Sequence, residues 1–99
     1  MTNSIKIPRE RIEMFCRAHG IRRLALFGSV LRDDFRPGSD IDVLIEFQPG
    51  VRFGLAFIRL QDELSEIFGH KVDLNTPGSI SKYFRQQVLE EAEELYVAA

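Results

Sequence analysis

The segment of residues 40–47 places the strongest constraint on how this chain can fold. Apolar side chains fill every second position, at Ile41, Val43, Ile45 and Phe47. The positions between them hold Asp40, Asp42, Leu44 and Glu46. Because successive side chains of a β-strand point to opposite faces, this alternation predicts a strand with one wholly apolar face. That face must pack on a core, which leaves two acids, at i and i+2, on the other face.

Helical spacing and short apolar runs alternate around this strand. Pro8 and Gly20 bracket the first helical pattern, and Gly69 ends the long one. The predicted elements are a helix over 8–19, a strand over 22–27, a short helix from Ser29 to about Asp34, the strand over 40–47, a helix over 53–68, a strand over 71–74 and a helix over 80–95. The order α-β-α-β-α-β-α predicts an α/β (α+β) fold, with one sheet of at least three strands and helices packed against it.

The composition excludes several classes of protein. The 99 residues contain no repeat or linker, which favours a single domain over 1–99. No apolar run approaches a membrane span, and the N-terminus lacks the apolar segment of an export signal. Cys16 is the single cysteine, which excludes an internal disulfide, and a net charge of −2 does not favour nucleic acid. We therefore expect a cytoplasmic protein with no membrane or direct nucleic-acid partner.

The acid pair at Asp40 and Asp42 needs a physical explanation. On a strand the two Cα atoms lie about 6.6 Å apart on one side, so the carboxylates repel unless a cation sits between them. Mg²⁺ prefers such oxygen ligands. Asp73, between Val72 and Leu74 on another short strand, would join them if the two strands are neighbours. Three converging carboxylates suit a two-metal phosphoryl or nucleotidyl transfer.

Gly28-Ser29 supplies the second half of the predicted site. Glycine at a strand-to-helix turn lets the backbone approach a ligand, and the following helix start offers free N–H groups to a phosphate. Ten residues separate Ser29 from Asp40. Taken alone, Gly28-Ser29 fits a plain turn with a helix cap, and Asp40-x-Asp42 fits exposed strand acids. Their combination, in this order and on these elements, favours a phosphate-handling site.

Residues 26–47, with Gly28-Ser29 and the Asp40/Asp42 pair, resemble the core of the minimal nucleotidyltransferase (MNT) family. These proteins are small prokaryotic members of the DNA polymerase β-like superfamily. The resemblance continues through 53–69, 70–76 and 88–96, so it covers about residues 8–97. It implies the nucleotidyltransferase fold, a small mixed sheet packed by helices.

The resemblance also implies a role for each matching residue. Gly28 and Ser29 match the motif that holds the triphosphate of ATP. Asp40 and Asp42 match the acids that ligate the nucleotide-bound Mg²⁺ and share a second, catalytic Mg²⁺. Asp73 matches the third acid, which completes the catalytic metal site and helps activate the attacking hydroxyl.

Arg32 matches a frequent family position, where it either contacts phosphate or braces Asp40 through a salt bridge; both remain open. Family members of this size pair with a HEPN-domain ribonuclease toxin, and some transfer AMP from ATP to a tyrosine of that toxin. We therefore expect a protein adenylyltransferase that acts as an antitoxin and that can form a hetero-oligomer with the toxin. The alternatives are neutralisation by occlusion without catalysis, and transfer to a small molecule or nucleic-acid end presented by a separate subunit.

Overall fold

The computed structural model describes residues 7–31, 40–52 and 54–98. Three helices and four strands make up these residues, together with two 3₁₀ turns. In chain order they are α1 (Arg9–Ala18), β1 (Ile21–Phe27), a 3₁₀ turn (Gly28–Leu31), β2 (Ile41–Phe47), α2 (Ala56–Phe68), β3 (Val72–Asn75), a 3₁₀ turn (Pro77–Ser79), α3 (Lys82–Glu91) and β4 (Glu93–Val97).

The four strands form one mixed sheet in the order β3-β2-β1-β4. β1 pairs antiparallel with both β2 and β4, whereas β2 and β3 are parallel. A parallel pair requires a crossover, which α2 supplies between β2 and β3. The predicted α/β class with a small mixed sheet is thus confirmed.

The core lies on one face of the sheet, under α1 and α2. Fully buried side chains from β1 and β2 alternate into it, at Leu24, Leu26, Ile41, Val43 and Ile45. α1 adds Ile12, Phe15 and Cys16 at helical spacing, and α2 adds Leu60, Leu64 and Phe68. The apolar face predicted for the strand over 40–47 is therefore the face that packs on the helices, with Phe47 partly buried at its end.

α2 also holds the outer edge of β3. The backbone N–H of Val72 donates to Ser65 Oγ at 2.9 Å, and that of Leu74 donates to Gln61 Oε1 at 3.0 Å. An edge strand otherwise exposes these groups without a partner. Because Val72 and Leu74 turn their side chains into the core, Asp73 between them must project from the opposite face.

The C-terminal helix predicted over 80–95 is wrong beyond Glu91. The helix ends at Glu91, Ala92 is extended (φ −62°, ψ 137°), and the chain continues as β4. Leu24 pairs with Tyr96 and Leu26 with Glu93, which gives the outer backbone groups of β1 partners that a helix could not provide. The strand-forming run at the chain's end therefore pairs with the sheet instead of extending the helix.

The short helix predicted from Ser29 to about Asp34 is a 3₁₀ turn over Gly28–Leu31 in the described residues. Residues 32–39, with the rest of that prediction and the predicted turn at 35–39, lie outside them. Within the described ranges, no helix is long and apolar enough to cross a membrane.

Replacing Gln61 by Ala should lower the free energy of unfolding by about 1–2 kcal/mol, because the Leu74 N–H loses its acceptor at a part-buried position. Urea denaturation measures this loss. Asp62→Ala is the matched control, since the neighbouring side chain is exposed on the same helix, and it should change stability by less than about 0.5 kcal/mol. Equal midpoints for the two variants would show that Gln61 does not anchor β3.

Candidate active site

Strand register brings two of the predicted acids together. The parallel pairing of β2 with β3 places Asp42 directly beside Asp73. Both side chains project from the face opposite the helices, and their carboxyl groups share a hydrogen bond. The sequence predicted this meeting only on the condition that the two strands are neighbours, and the register fulfils that condition.

The environment of Asp42 disfavours its charged form. The pKa of Asp42 is raised from 3.8 to about 6, first by burial and then, in order of importance, by the charge of Asp73, a hydrogen bond with Asp73 and the charge of Asp40. Each of these effects acts against a second negative charge at one point on the sheet. A bound cation would relieve all of them at once.

Asp40, the third predicted acid, is the residue just before β2. Its side chain is exposed, and it acts on Asp42 through its charge. In the part of the chain that the structure describes, no group of three or more His, Cys, Asp or Glu side chains is arranged to hold a metal ion. Mg²⁺ rarely needs such a group, because one or two carboxylates, substrate phosphates and water molecules usually coordinate it. Asp42 in contact with Asp73 fits that partial donor set.

Gly28 lies against this acid pair. It begins the 3₁₀ turn that follows β1, with φ +77°, a conformation that residues with a side chain rarely adopt. A Cβ at this position would overlap Oδ2 of Asp42 and lie 3.1 Å from its Cγ. Only glycine lets the backbone of the turn come this close to the carboxylate. The residue predicted to bind phosphate and the predicted acid Asp42, which are 14 positions apart in the sequence, therefore lie against each other in the structure.

Two predicted residues are not fully described. Ser29 is the second residue of the 3₁₀ turn, but its side chain is outside what the structure describes. Arg32 lies outside the described residues altogether, so its two possible roles both stay predictions. The sequence analysis expected the phosphates to bind at the start of an α-helix. In the described residues, that place is a 3₁₀ turn over Gly28–Leu31.

The sequence analysis missed an ionic cluster farther along the sheet. Arg23 of β1 pairs with Glu46 of β2 (3.0 Å) and Glu94 of β4 (3.3 Å), and Arg22 also pairs with Glu46 (2.8 Å). These contacts tie three strands together. The alternation of β1 could have placed Arg23 beside Glu46, but Glu94 belongs to the strand that was predicted as helix.

A cavity of about 440 Å³ opens beside the acid pair, between the Gly28 turn and α3. Its lining comes from the end of β1, the 3₁₀ turn and one side of α3: Phe27, Gly28, Leu31, Phe84, Gln87, Val88 and Glu91. Its size is within the range of small-molecule sites. Among the lining residues of α3, Val88 is partly buried, whereas Phe84 is 61% exposed.

Comparison with known proteins agrees with this geometry. The profile of the nucleotidyltransferase domain family matches residues 9–95. A Methanocaldococcus jannaschii protein named as a protein adenylyltransferase is 40% identical over 74 residues, which cover 75% of this chain and 78% of the relative. The chain therefore belongs to the nucleotidyltransferase domain family, and it is a nucleotidyltransferase. The resemblance to the minimal nucleotidyltransferases is confirmed.

Two solved structures share the fold. A toxin–antitoxin structure with AMP-PNP superposes with a TM-score of 0.73 at 24% identity, covering 92% of this chain and 74% of the other. A second contains a tri-AMPylated HEPN toxin from Shewanella oneidensis in complex with an MNT antitoxin. It gives a TM-score of 0.64 at 24% identity over 91% of this chain and 70% of the other.

Replacing Gly28 by Ala should lower the free energy of unfolding through two effects, the left-handed backbone, which costs about 1–2 kcal/mol, and the overlap with Asp42. Gly50→Ala isolates the first effect, because Gly50 has φ +86° and nothing lies within 4 Å of its Cβ position. In urea denaturation the Gly28 variant should lose more stability than the Gly50 variant. Equal losses would show that Asp42 yields freely and that the close approach is not a constraint.

The raised pKa of Asp42 makes stability depend on pH. Between about pH 4 and pH 6 the folded protein holds more protons than the unfolded chain. The free energy of unfolding therefore falls as the pH rises, and the loss of stability is complete above about pH 6. Without metal, the free energy of unfolding of Asp42→Asn relative to that of the wild type should therefore rise by about 1 kcal/mol when the pH is raised from 4 to 7.5. This value is reduced for solvent screening of a partly exposed group.

Urea denaturation at the two pH values measures this gain, and Asp62→Asn, an exposed acid on α2, should show no such change relative to the wild type. A large loss of stability at pH 7.5 for Asp42→Asn would identify Asp42 as a structural acid.

Proposed function

We propose that this nucleotidyltransferase transfers AMP from ATP to a tyrosine hydroxyl of a HEPN ribonuclease toxin, and that it acts as an antitoxin by doing so. The observation that carries the proposal is the contact of Asp42 with Asp73 beside Gly28. It concentrates negative charge at the point where the backbone can approach a triphosphate. The M. jannaschii relative supports protein adenylylation, and the S. oneidensis complex supports a HEPN toxin as the acceptor.

In this proposal the turn after β1 receives the phosphates. The positive φ of Gly28 leaves room at the acid pair, and the N–H groups that begin a helical turn are donors for phosphate oxygens. Ser29 and Arg32 are assigned to the same phosphates by their match to the family motif. The nucleotide thus lies across the face of the sheet that the helices α1 and α2 leave uncovered.

Asp40, Asp42 and Asp73 are the residues that we assign to two Mg²⁺ ions. When bound, the ions would lower the pKa of the acceptor hydroxyl and neutralise charge on the α-phosphate and the leaving pyrophosphate. The chain's own contribution is a set of carboxylates whose mutual repulsion favours a cation.

The transfer forms one bond and breaks one. The tyrosine oxygen bonds to the α-phosphorus of ATP, the bond from that phosphorus to the oxygen bridging to the β-phosphate breaks, and pyrophosphate leaves. We assign the hydroxyl proton to Asp73, because its side chain is exposed whereas that of Asp42 is partly buried. The products are an AMP–tyrosine phosphodiester, pyrophosphate and a proton. Because ATP is the proposed donor, we also propose that the reaction takes place in the cytoplasm.

Incubation with α-labelled ATP, Mg²⁺ and a purified HEPN ribonuclease toxin from the same organism tests the proposal. The wild type should label the toxin, and Asp42→Asn or Asp73→Asn should lower the rate at least about a hundredfold, because each removes a ligand for charge neutralisation worth several kcal/mol. Asp62→Asn, on the other side of the molecule's sheet, should label at the wild-type rate. Equal labelling by all four proteins, or none by the wild type, would contradict the proposal.

The same mixture separates catalysis from occlusion. A catalyst should protect RNA from the toxin at an antitoxin-to-toxin ratio well below one, after time with ATP and Mg²⁺. Protection that requires one antitoxin per toxin and persists in Asp42→Asn would establish occlusion instead.

A further inference from the structure

Two hydrogen bonds on the outer edge of β3 bracket Asp73. The residues before and after it, Val72 and Leu74, donate their backbone N–H groups to side chains of α2. Ser65 Oγ accepts the first at 2.9 Å, and Gln61 Oε1 accepts the second at 3.0 Å. The backbone on both sides of Asp73 is therefore tied to a helix that lies outside the sheet.

The spacing of the two acceptors matches the spacing of the two donors. Gln61 and Ser65 are four residues apart on α2, which is about 6 Å along a helix. Val72 and Leu74 are two residues apart on β3, which is about 6.6 Å along a strand. Two bonds at matched spacing fix both the position and the direction of the strand edge, whereas a single bond would let it pivot.

The hydroxyl group of Ser65 is oriented by α2 itself. It donates its one proton to the backbone carbonyl oxygen of Gln61 at 2.9 Å, so its oxygen is left as an acceptor for the N–H of Val72. All three of these bonds, including the one to Leu74, are part-buried. Removal of either acceptor therefore leaves a strand N–H without its protein partner where water replaces it poorly.

The inner edge of β3 faces β2, where the acids meet. The N–H of Ile41 donates to the carbonyl oxygen of Lys71 at 2.8 Å, and the register places Asp73 beside Asp42. The charge of Asp73 acts on Asp42, and like charges repel. This repulsion pushes β3 away from β2, against the two bonds on its outer edge.

We infer that Gln61 and Ser65 are positioning residues for Asp73. By holding the outer edge of β3, they set how close the carboxylates of Asp73 and Asp42 lie, and through that distance the affinity of the site for a divalent metal ion. The inference rests on the proposed function, because it takes both acids to be metal ligands. Removing a residue that orients a metal ligand typically lowers metal affinity or activity by about 10–100-fold.

Electron paramagnetic resonance of free Mn²⁺ measures metal binding without turnover. The proteins are compared without toxin, at one fixed concentration of α,β-methylene-ATP, so that metal bound by free nucleotide is the same in every sample. Gln61→Leu and Ser65→Ala each remove one acceptor and should raise the Kd for Mn²⁺ about tenfold. Gln61→Glu and Ser65→Thr keep an acceptor oxygen and should stay within about threefold of the wild type.

Gly50→Ala is the control for a loss of stability alone. Gly50 has φ +86°, and nothing lies within 4 Å of its Cβ position, so the variant strains the backbone without touching α2 or β3. It should bind Mn²⁺ like the wild type, within about twofold.

Toxin labelling gives a second measurement. In Gln61→Leu and Ser65→Ala, kcat at a fixed low Mg²⁺ concentration should fall about tenfold and should recover in part as Mg²⁺ is raised. KM for ATP should change by less than about twofold, because the turn at Gly28 is unaltered. A purely structural role would reduce the amount of active protein and leave the metal dependence where it is in Gly50→Ala.

Asp73→Asn separates this inference from the proposed function. If Asp73→Asn weakens Mn²⁺ binding while Gln61→Leu and Ser65→Ala bind like Gly50→Ala, the inference is overturned and the proposed function stands. If Asp73→Asn binds Mn²⁺ as tightly as the wild type, the metal assignment of the proposed function fails, and the inference fails with it.

The conservative variants decide whether the hydrogen bonds are responsible. If Gln61→Glu and Ser65→Thr lose as much affinity as Gln61→Leu and Ser65→Ala, packing accounts for the losses and the inference is overturned. Each single variant removes one of the two bonds, so if one of them failed to fold, the other would still decide the outcome.

Discussion

The parallel pairing of β2 with β3 is the constraint on which the rest of this structure depends. Val72 and Leu74 are buried in the core, and each such burial contributes about 1.5–3 kcal/mol. With period-two alternation, that burial forces Asp73 to the opposite face, directly beside Asp42. The cost of holding Asp42 charged at the site, to which burial contributes most and the charge of Asp73 next, is about 1 kcal/mol, which is smaller than the apolar burial that imposes it. The fold therefore holds two carboxylates in contact that would otherwise separate.

Gly28 connects this strand pairing to the proposed phosphate site. Its backbone lies so close to Asp42 that a side chain would overlap the carboxylate, and its φ of +77° suits glycine. One sheet face thereby carries a negatively charged pair, a turn whose backbone can approach phosphate, and a cavity that continues toward α3. In the proposed function, the cations and the triphosphate occupy adjacent places on this face, and the transfer depends on that adjacency.

Local patterns predicted most of the framework. The alternation over 40–47 predicted β2, and the helical spacing that includes Leu60, Leu64 and Phe68 predicted α2. Gly20 and Gly69 predicted the ends of α1 and α2. Each of these patterns reflects burial or backbone geometry within one element. β4 could not be predicted in this way. Phe84, Val88, Ala92 and Leu95 continue a helical spacing, and the change to a strand depends on the outer edge of β1 needing partners, which is a tertiary effect.

The residues of the candidate site could be predicted from the sequence, but the contacts between them could not. The acids and Gly28 could be selected by residue type and order, whereas the meeting of Asp42 with Asp73 depends on a pairing between strands 30 residues apart. The role of Gln61 and Ser65 in holding β3 depends on the same long-range pairing. The cavity depends on how α3 lies against the turn after β1, which is also a tertiary arrangement.

A crystal structure with Mn²⁺ and AMP-PNP tests the central claim most directly, because the anomalous signal of manganese locates the ion independently of the phasing. The account predicts a manganese peak in contact with carboxylate oxygens of both Asp42 and Asp73, near the 2.1 Å distance typical of Mg²⁺, with the triphosphate against Gly28. A peak bound by neither carboxylate, or a triphosphate bound away from Gly28, would contradict it.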